Sequence, residues 1–157
     1  MKTLIDADCL IKLAKSGLKE LVCRYEKVVI PPAVKREVVD AGKIKGYPDA
    51  DLIDQNIQNG LIALAKKSTL NHLTGDQGLV ATFKQGRYKA IATDDAKFIR
   101  ILRVARIPFI LPALLVHAIY RRGEIDRETA LNWLDKLSAF ISDEEYSMTK
   151  LLLEESA

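Results

Sequence analysis

The segment Thr3-Leu4-Ile5-Asp6-Ala7-Asp8-Cys9-Leu10 decides how the rest of the chain reads. Three residues suited to a strand run into an acid. Leu10, Leu13 and Ala14 then recur at the spacing of one helix face. A strand that passes directly into a helix is the opening unit of an α/β fold. Asp6 sits at the turn, where a carboxylate suits a helix N-cap. The same place, outside the carboxyl end of a strand, is where open parallel sheets bind their ligands.

The same alternation continues outward. Gly17 ends the first helix, and a second covers about 18–24. Residues 28–30, Val-Val-Ile, read as a strand. Pro31-Pro32 opens a helix that should stop at Gly42, with proline at the start and glycine past the end. A helix over 49–58 and a strand over 61–65 follow. Thr74 is a good N-cap, and Gln77 completes a capping box for a helix ending at Gly86. Strands are predicted at 90–93 and 108–110, with a helix over 95–103 between them. From Pro112 the chain reads as helices broken near Gly123 and Ser142. The pattern predicts an α/β fold with a mostly parallel central sheet and a helical C-terminal tail.

A chain of 157 residues, 48% of them hydrophobic, can bury a sizeable core and is too apolar for disorder. The net charge of +3 permits contact with a polyanion only if the cations cluster. No stretch approaches the roughly 20 apolar residues needed to span a bilayer. Asp6 and Asp8 also interrupt the apolar N-terminal stretch, so a signal core is not expected and the cytoplasm is the expected location. Cys9 and Cys23 form no metal-spaced pair and read as buried thiols. His72 and His117 carry no motif.

The chemistry lies in the acids. Asp6 ends the first strand, and Asp94-Asp95 ends another. Glu37 falls on the stripe made by Val34, Val38 and Ala41, where a carboxylate on a core-facing face needs a partner. Asp76 sits in the first turn of the helix capped by Thr74. Taken singly, each has a plainer explanation as a cap, a first-turn acid that suits the helix dipole, or an edge residue reaching water. Together they gather where an α/β fold converges. Carboxylates so gathered stay ionised only if a hard cation such as Mg²⁺ or Mn²⁺ neutralises them. Metals held this way can activate water for phosphodiester displacement. Lys97, Arg100, Arg103 and Arg106 follow Asp95 every third residue, as a basic stripe that suits phosphates or simply a solvated face. Lys12, Lys15 and Lys19 give a weaker signal of the same kind.

These motifs resemble the PIN-domain family of ribonucleases. Leu4-Ile5-Asp6-Ala7-Asp8-Cys9-Leu10 is similar to its first motif, with Asp8 in place of the usual Ser, Thr or Asn. Ile30-Pro31-Pro32-Ala33-Val34-Lys35-Arg36-Glu37-Val38 resembles the second. Gly75-Asp76-Gln77-Gly78-Leu79-Val80-Ala81 resembles the third. Thr93-Asp94-Asp95-Ala96-Lys97-Phe98 resembles the fourth. The resemblance covers about 1–111 and implies a three-layer α/β/α nuclease domain. The tail, 112–157, is similar to the helical extension of a prokaryotic subgroup and would pack on the same domain.

The resemblance further implies hydrolysis of RNA by Asp6, Glu37, Asp76 and Asp95 around Mg²⁺ or Mn²⁺, with either Asp94 or Asp95 facing the metal and the motif register favouring Asp95. Lys97, Arg100 and Arg103 would bind substrate. A toxin role with a small antitoxin partner and a homodimer is implied as well. Two other readings remain at this point. Asp6-Ala7-Asp8 also resembles the nucleophile motif of haloacid-dehalogenase-type phosphatases, with Asp6 phosphorylated. The fold could also serve as a non-catalytic module that binds RNA or protein.

Overall fold

The computed structural model describes residues 1–66 and 73–155; His72 lies outside the described residues. The chain opens with β1 (Lys2–Ile5), α1 (Ala7–Lys15) and α2 (Lys19–Tyr25), then β2 (Val28–Ile30). Next come α3 (Pro32–Lys35), a π turn (Arg36–Asp40), α4 (Ala41–Ile44) and α5 (Pro48–Gln58). β3 (Ile62–Leu64), α6 (Gly75–Gln85), β4 (Tyr88–Ala92), α7 (Ala96–Ala105) and β5 (Phe109–Ile110) complete the alternation. The tail forms α8 (Pro112–Arg121), α9 (Arg127–Leu137) and α10 (Asp143–Glu155).

All five strands are parallel, in the order β3-β2-β1-β4-β5. Leu4, Ile5, Val28, Val29, Ile30, Ile91 and Ala92 are buried, as parallel strands with helices over both faces require. The strand order reverses between β1 and β4. Their carboxyl ends therefore lie side by side at the point where chain connections leave in opposite directions and a crevice opens. Asp6 N–H donates to the Ala92 carbonyl (3.1 Å), which fixes the first residue beyond β1 against the end of β4.

Two expectations need correction, and both concern the helix after β2. Gly42 does not end it. The helix runs on through Ile44, and Gly46, at φ 75°, follows its end. Gly42 is buried, and a Cβ there would lie 2.9 Å from the Ala50 Cβ. Its role is close packing against α5. Glu37, in turn, does not face the core; it is exposed while Val34, Val38 and Val39 are buried. The π turn inserts an extra residue per turn, so Val38 and Val39 share the inward face and the position before them swings outward.

The tail is bound to the sheet's amino edge and to α2. Arg122 donates to the Tyr25 carbonyl (2.8 Å) and to Glu26 (3.0 Å). Tyr25 and Trp133 stack with ring centres 6.3 Å apart. Glu145 on α10 accepts from Ala113 N–H (3.0 Å) and so caps α8. Ala130, Leu134, Leu137 and Leu153 pack inward, whereas Leu151 and Leu152 are exposed. Among the described residues no helix is long and apolar enough to cross a membrane.

Candidate active site

Asp6 is positioned by three local contacts. It is the N-cap of α1, and its Oδ1 accepts from Cys9 N–H at 2.8 Å. Its backbone is held to β4, and its carboxylate takes a hydrogen bond from the Thr93 hydroxyl. It is 6% exposed. Burial is the main influence on its proton, and with the neighbouring Asp94 and Asp8 it raises the pKa from 3.8 to about 6, against the hydrogen bonds from Thr93 and Cys9. A buried carboxylate that is hard to ionise beside other acids is a group in want of a cation.

Asp95 stands across from it at the end of β4. It is the N-cap of α7, with Oδ1 accepting from Lys97 N–H (2.9 Å) and Phe98 N–H (3.1 Å). Both bonds fall on Oδ1, so the lone pairs of Oδ2 remain available. Thr93, wholly buried, ties the two acids together. Its hydroxyl oxygen accepts from Asp95 N–H (3.2 Å) while the hydroxyl bonds to Asp6.

Asp76 enters from the first turn of α6, which carries the expected Thr74–Gln77 capping box. Burial first, and then the charge of Asp95, raises its pKa, while Lys97 opposes the shift. Glu37 arrives from the π turn. It lies beside Gly75 at the start of α6, where a Cβ would stand in ordinary contact, 3.4 Å from the Glu37 Oε2.

Asp6, Asp8, Glu37, Asp76 and Asp95 line one pocket of about 220 Å³, together with the buried side chains of Val34 and Leu79. No cation lines it among the described residues. Asp8 belongs to the pocket as a fifth acid, in the first turn of α1. Asp94 does not line it. Lys12 Nζ takes both Asp94 oxygens, at 2.8 and 2.7 Å, and holds them toward α1. The adjacent acids thus divide their labour, with Asp95 toward the pocket and Asp94 in an ion pair.

Among the described residues no three acids stand close enough to share one ion directly. The pocket nevertheless suits a hydrated hard cation. The polar side chains that line it are all carboxylates, and Mg²⁺ prefers one or two carboxylates and keeps several waters.

The cations divide as well. Lys97, Arg100 and Arg103 are exposed on α7, and Arg103 lies over the Phe109 ring (5.5 Å). Of these three, Lys97 is near enough to the pocket to act on Asp76. Lys12 is committed to Asp94, and Lys19 is 2% exposed, so neither belongs to a surface stripe. Cys9 and Cys23 are buried free thiols whose pKa values burial raises, that of Cys23 to about 12. Neither is a nucleophile.

No curated protein and no solved structure matches the chain significantly. A family match does exist, under the description PIN domain, over residues 2–155, which takes in the tail as well as the sheet. This match leaves the phosphatase reading of Asp6-Ala7-Asp8 without support. A wholly parallel sheet, acids gathered at its switch point and a family match along nearly the whole chain agree: the protein belongs to the PIN-domain family, whose domains are commonly nucleases.

Proposed function

We propose that the protein is a metal-dependent endoribonuclease. The observation that carries this reading is the convergence of Asp6, Glu37, Asp76 and Asp95, from four separate parts of the chain, on one pocket that no described cation lines. One or two of Asp6, Asp76 and Asp95 would hold a hydrated Mg²⁺ or Mn²⁺ directly, with the remaining acids and Glu37 reaching it through its waters. The bound ion would supply charge neutralisation for the phosphodiester and a water of lowered pKa. The chain's own residues set the stage for that chemistry. Thr93 keeps Asp6 and Asp95 in register. The N-cap bonds, one to Asp6 and two to Asp95, orient both carboxylates. Lys97 adds a positive charge on the side of Asp76, where a phosphate would approach.

The test is cleavage of single-stranded RNA with Mg²⁺ or Mn²⁺, with a chelator as control and Asp6→Asn as the variant. Wild-type protein should cleave, and the variant should be inactive with an unchanged circular dichroism spectrum. Equal cleavage by the two would exclude Asp6 from the mechanism. We further propose the role of a toxin held by a small protein antitoxin, with the nuclease as a homodimer. Growth arrest on expression, relieved by Asp6→Asn, and a dimer mass by light scattering would support these two points.

A further inference from the structure

A second cavity, about 610 Å³, opens at the other end of α6. It lies between the C-terminal turns of that helix and the strands β2 and β3. Its lining is the reverse of the acid pocket. Lys2, Lys66 and Arg87 border it, and no carboxylate does among the described residues. All three cations are exposed, and none forms an ion pair with a described residue. They come from the start of β1, the exit of β3 and the entry to β4, so only the fold assembles them.

The cleft also has an aromatic wall. Tyr88 is half-buried in it, with its ring against Phe83 at 6.4 Å between centres. The ring has its place because residue 86 is glycine. A Cβ there would come within 2.4 Å of the Tyr88 ring. The glycine is therefore needed for that close approach, since its backbone is extended and open to any residue. Thr82 and Gln85 add polar side chains on the α6 side.

Grouped cations without acids, next to an aromatic face and side-chain donors, form the arrangement that binds single-stranded nucleic acid. The charges follow the phosphates and the ring stacks a base. Asp76, in the acid pocket, and Gln85, in this cleft, are the two ends of one helix. At 1.5 Å per residue they are about 14 Å apart along its axis. We propose that the Lys2/Lys66/Arg87/Tyr88 cleft binds the backbone and one base of the same RNA strand whose scissile phosphate lies in the acid pocket. This assignment rests on the nuclease reading for its substrate, and it identifies a second anchoring point that the motif residues do not include.

The test is a binding experiment in chelator, so that no cleavage intervenes. A fluorescent eight-nucleotide RNA is titrated with wild type, Lys66→Ala/Arg87→Ala and the control Arg121→Ala/Lys136→Ala, which removes two exposed cations of the tail. Each is measured across a salt series. The cleft variant should bind about tenfold more weakly at low salt, and its salt slope should flatten by about 1.4, or 0.7 for each lost phosphate contact. The control should match wild type.

Tyr88→Leu should lose about tenfold on RNA through stacking with the slope unchanged, and should bind inorganic polyphosphate as wild type does. A cleft variant with wild-type affinity and slope would overturn the proposal, as would an equal loss in the control or no RNA binding by wild type. An unchanged Tyr88→Leu would overturn the assignment of a base to the cleft. The two readings separate cleanly. Cleavage with an unaltered slope removes the cleft and leaves the nuclease. A cleft-dependent slope without cleavage under Mg²⁺ or Mn²⁺ removes the nuclease and leaves the cleft.

Discussion

Asp6 and Glu26 are both nearly inaccessible carboxylates at opposite ends of the sheet, 6% and 2% exposed, and their surroundings treat them oppositely. Glu26 lies at the amino ends of the strands. The Thr3 hydroxyl donates to it at 2.7 Å, Arg122 Nη1 donates at 3.0 Å, and Lys89 pairs with it. Burial alone would raise its pKa. The bonds from Lys89 and Thr3, with the Lys89 charge and the Arg122 bond, outweigh burial and lower it. Asp6, at the carboxyl ends, has hydrogen bonds but no cation partner among the described residues, and its pKa rises to about 6. The difference teaches how to sort buried acids. One satisfied by the chain's own cations is structural, and here it fastens the tail to the sheet. One set among other acids is held ready for something from outside the chain.

The largest effect that could break this comparison is on rate. Asp6→Asn should reduce RNA cleavage by about a thousandfold or more, as expected when a group that positions the transition-state charge is lost. The folded state should persist, because an Asn oxygen can still cap α1. Steady-state cleavage with Mn²⁺ reads this directly, and a loss under tenfold would put Asp6 in the same class as Glu26.

Glu26→Gln should do the reverse. Removing one partner of a buried ionic cluster costs about 3 kcal/mol. Lys89 and Arg122 are each about one-third exposed, at 35% and 36%, and can turn to water, which keeps the loss at the low end. Urea unfolding should show that loss while cleavage per folded molecule stays at the wild-type level. A variant that is stable but inactive would contradict the sorting.

The third test sharpens the comparison through pH. The folded chain holds the Asp6 proton more tightly than the unfolded chain does. Its contribution to stability is therefore present below pH 3.8 and lost as pH rises through about 6. The rise is worth about 3 kcal/mol at most. In metal-free protein, the stability of wild type relative to Asp6→Asn should fall by up to that amount between pH 4 and pH 7. Saturating Mg²⁺ or Mn²⁺ at pH 7 should restore it, since a ligand that binds only the folded state stabilises that state. A difference that stays flat with pH would mean Asp6 ionises like an ordinary surface acid.

The smallest effect concerns Lys12, whose pair with Asp94 is partly buried at 25% and 10% exposure. Lys12→Met should cost about 1 kcal/mol by thermal unfolding. It should also slow cleavage several-fold, because a freed Asp94 loosens the turn that presents Asp95. No change in rate would mean the β4–α7 turn needs no such anchor.

Much of the fold was legible because its signals are local. The strand-to-helix passage at Asp6, the capping box at Thr74–Gln77 and the proline at the start of α8 each need only a few adjacent residues. Parallel pairing followed from the alternation. Gly42 misled because a glycine after an apolar stripe resembles a helix stop, whereas its missing side chain serves contact with Ala50 across to another helix. Glu37 misled because a 3.6-residue period was carried through a segment that winds as a π turn. It reached the pocket as expected, but from the exposed side.

By itself, then, the sequence determined the order of elements and the acids at strand ends, because propensity, capping and periodicity act within one or two turns of the chain. The tertiary structure decided what those groups face. It set Asp95 toward the pocket and Asp94 toward Lys12, buried Lys19, gave Glu26 two cations from distant segments and brought Lys2, Lys66 and Arg87 to one cleft. An electrostatic environment depends on distances through space. In a wholly parallel sheet, neighbouring strands are separated along the chain by whole helices, so such partners leave no mark in the local pattern.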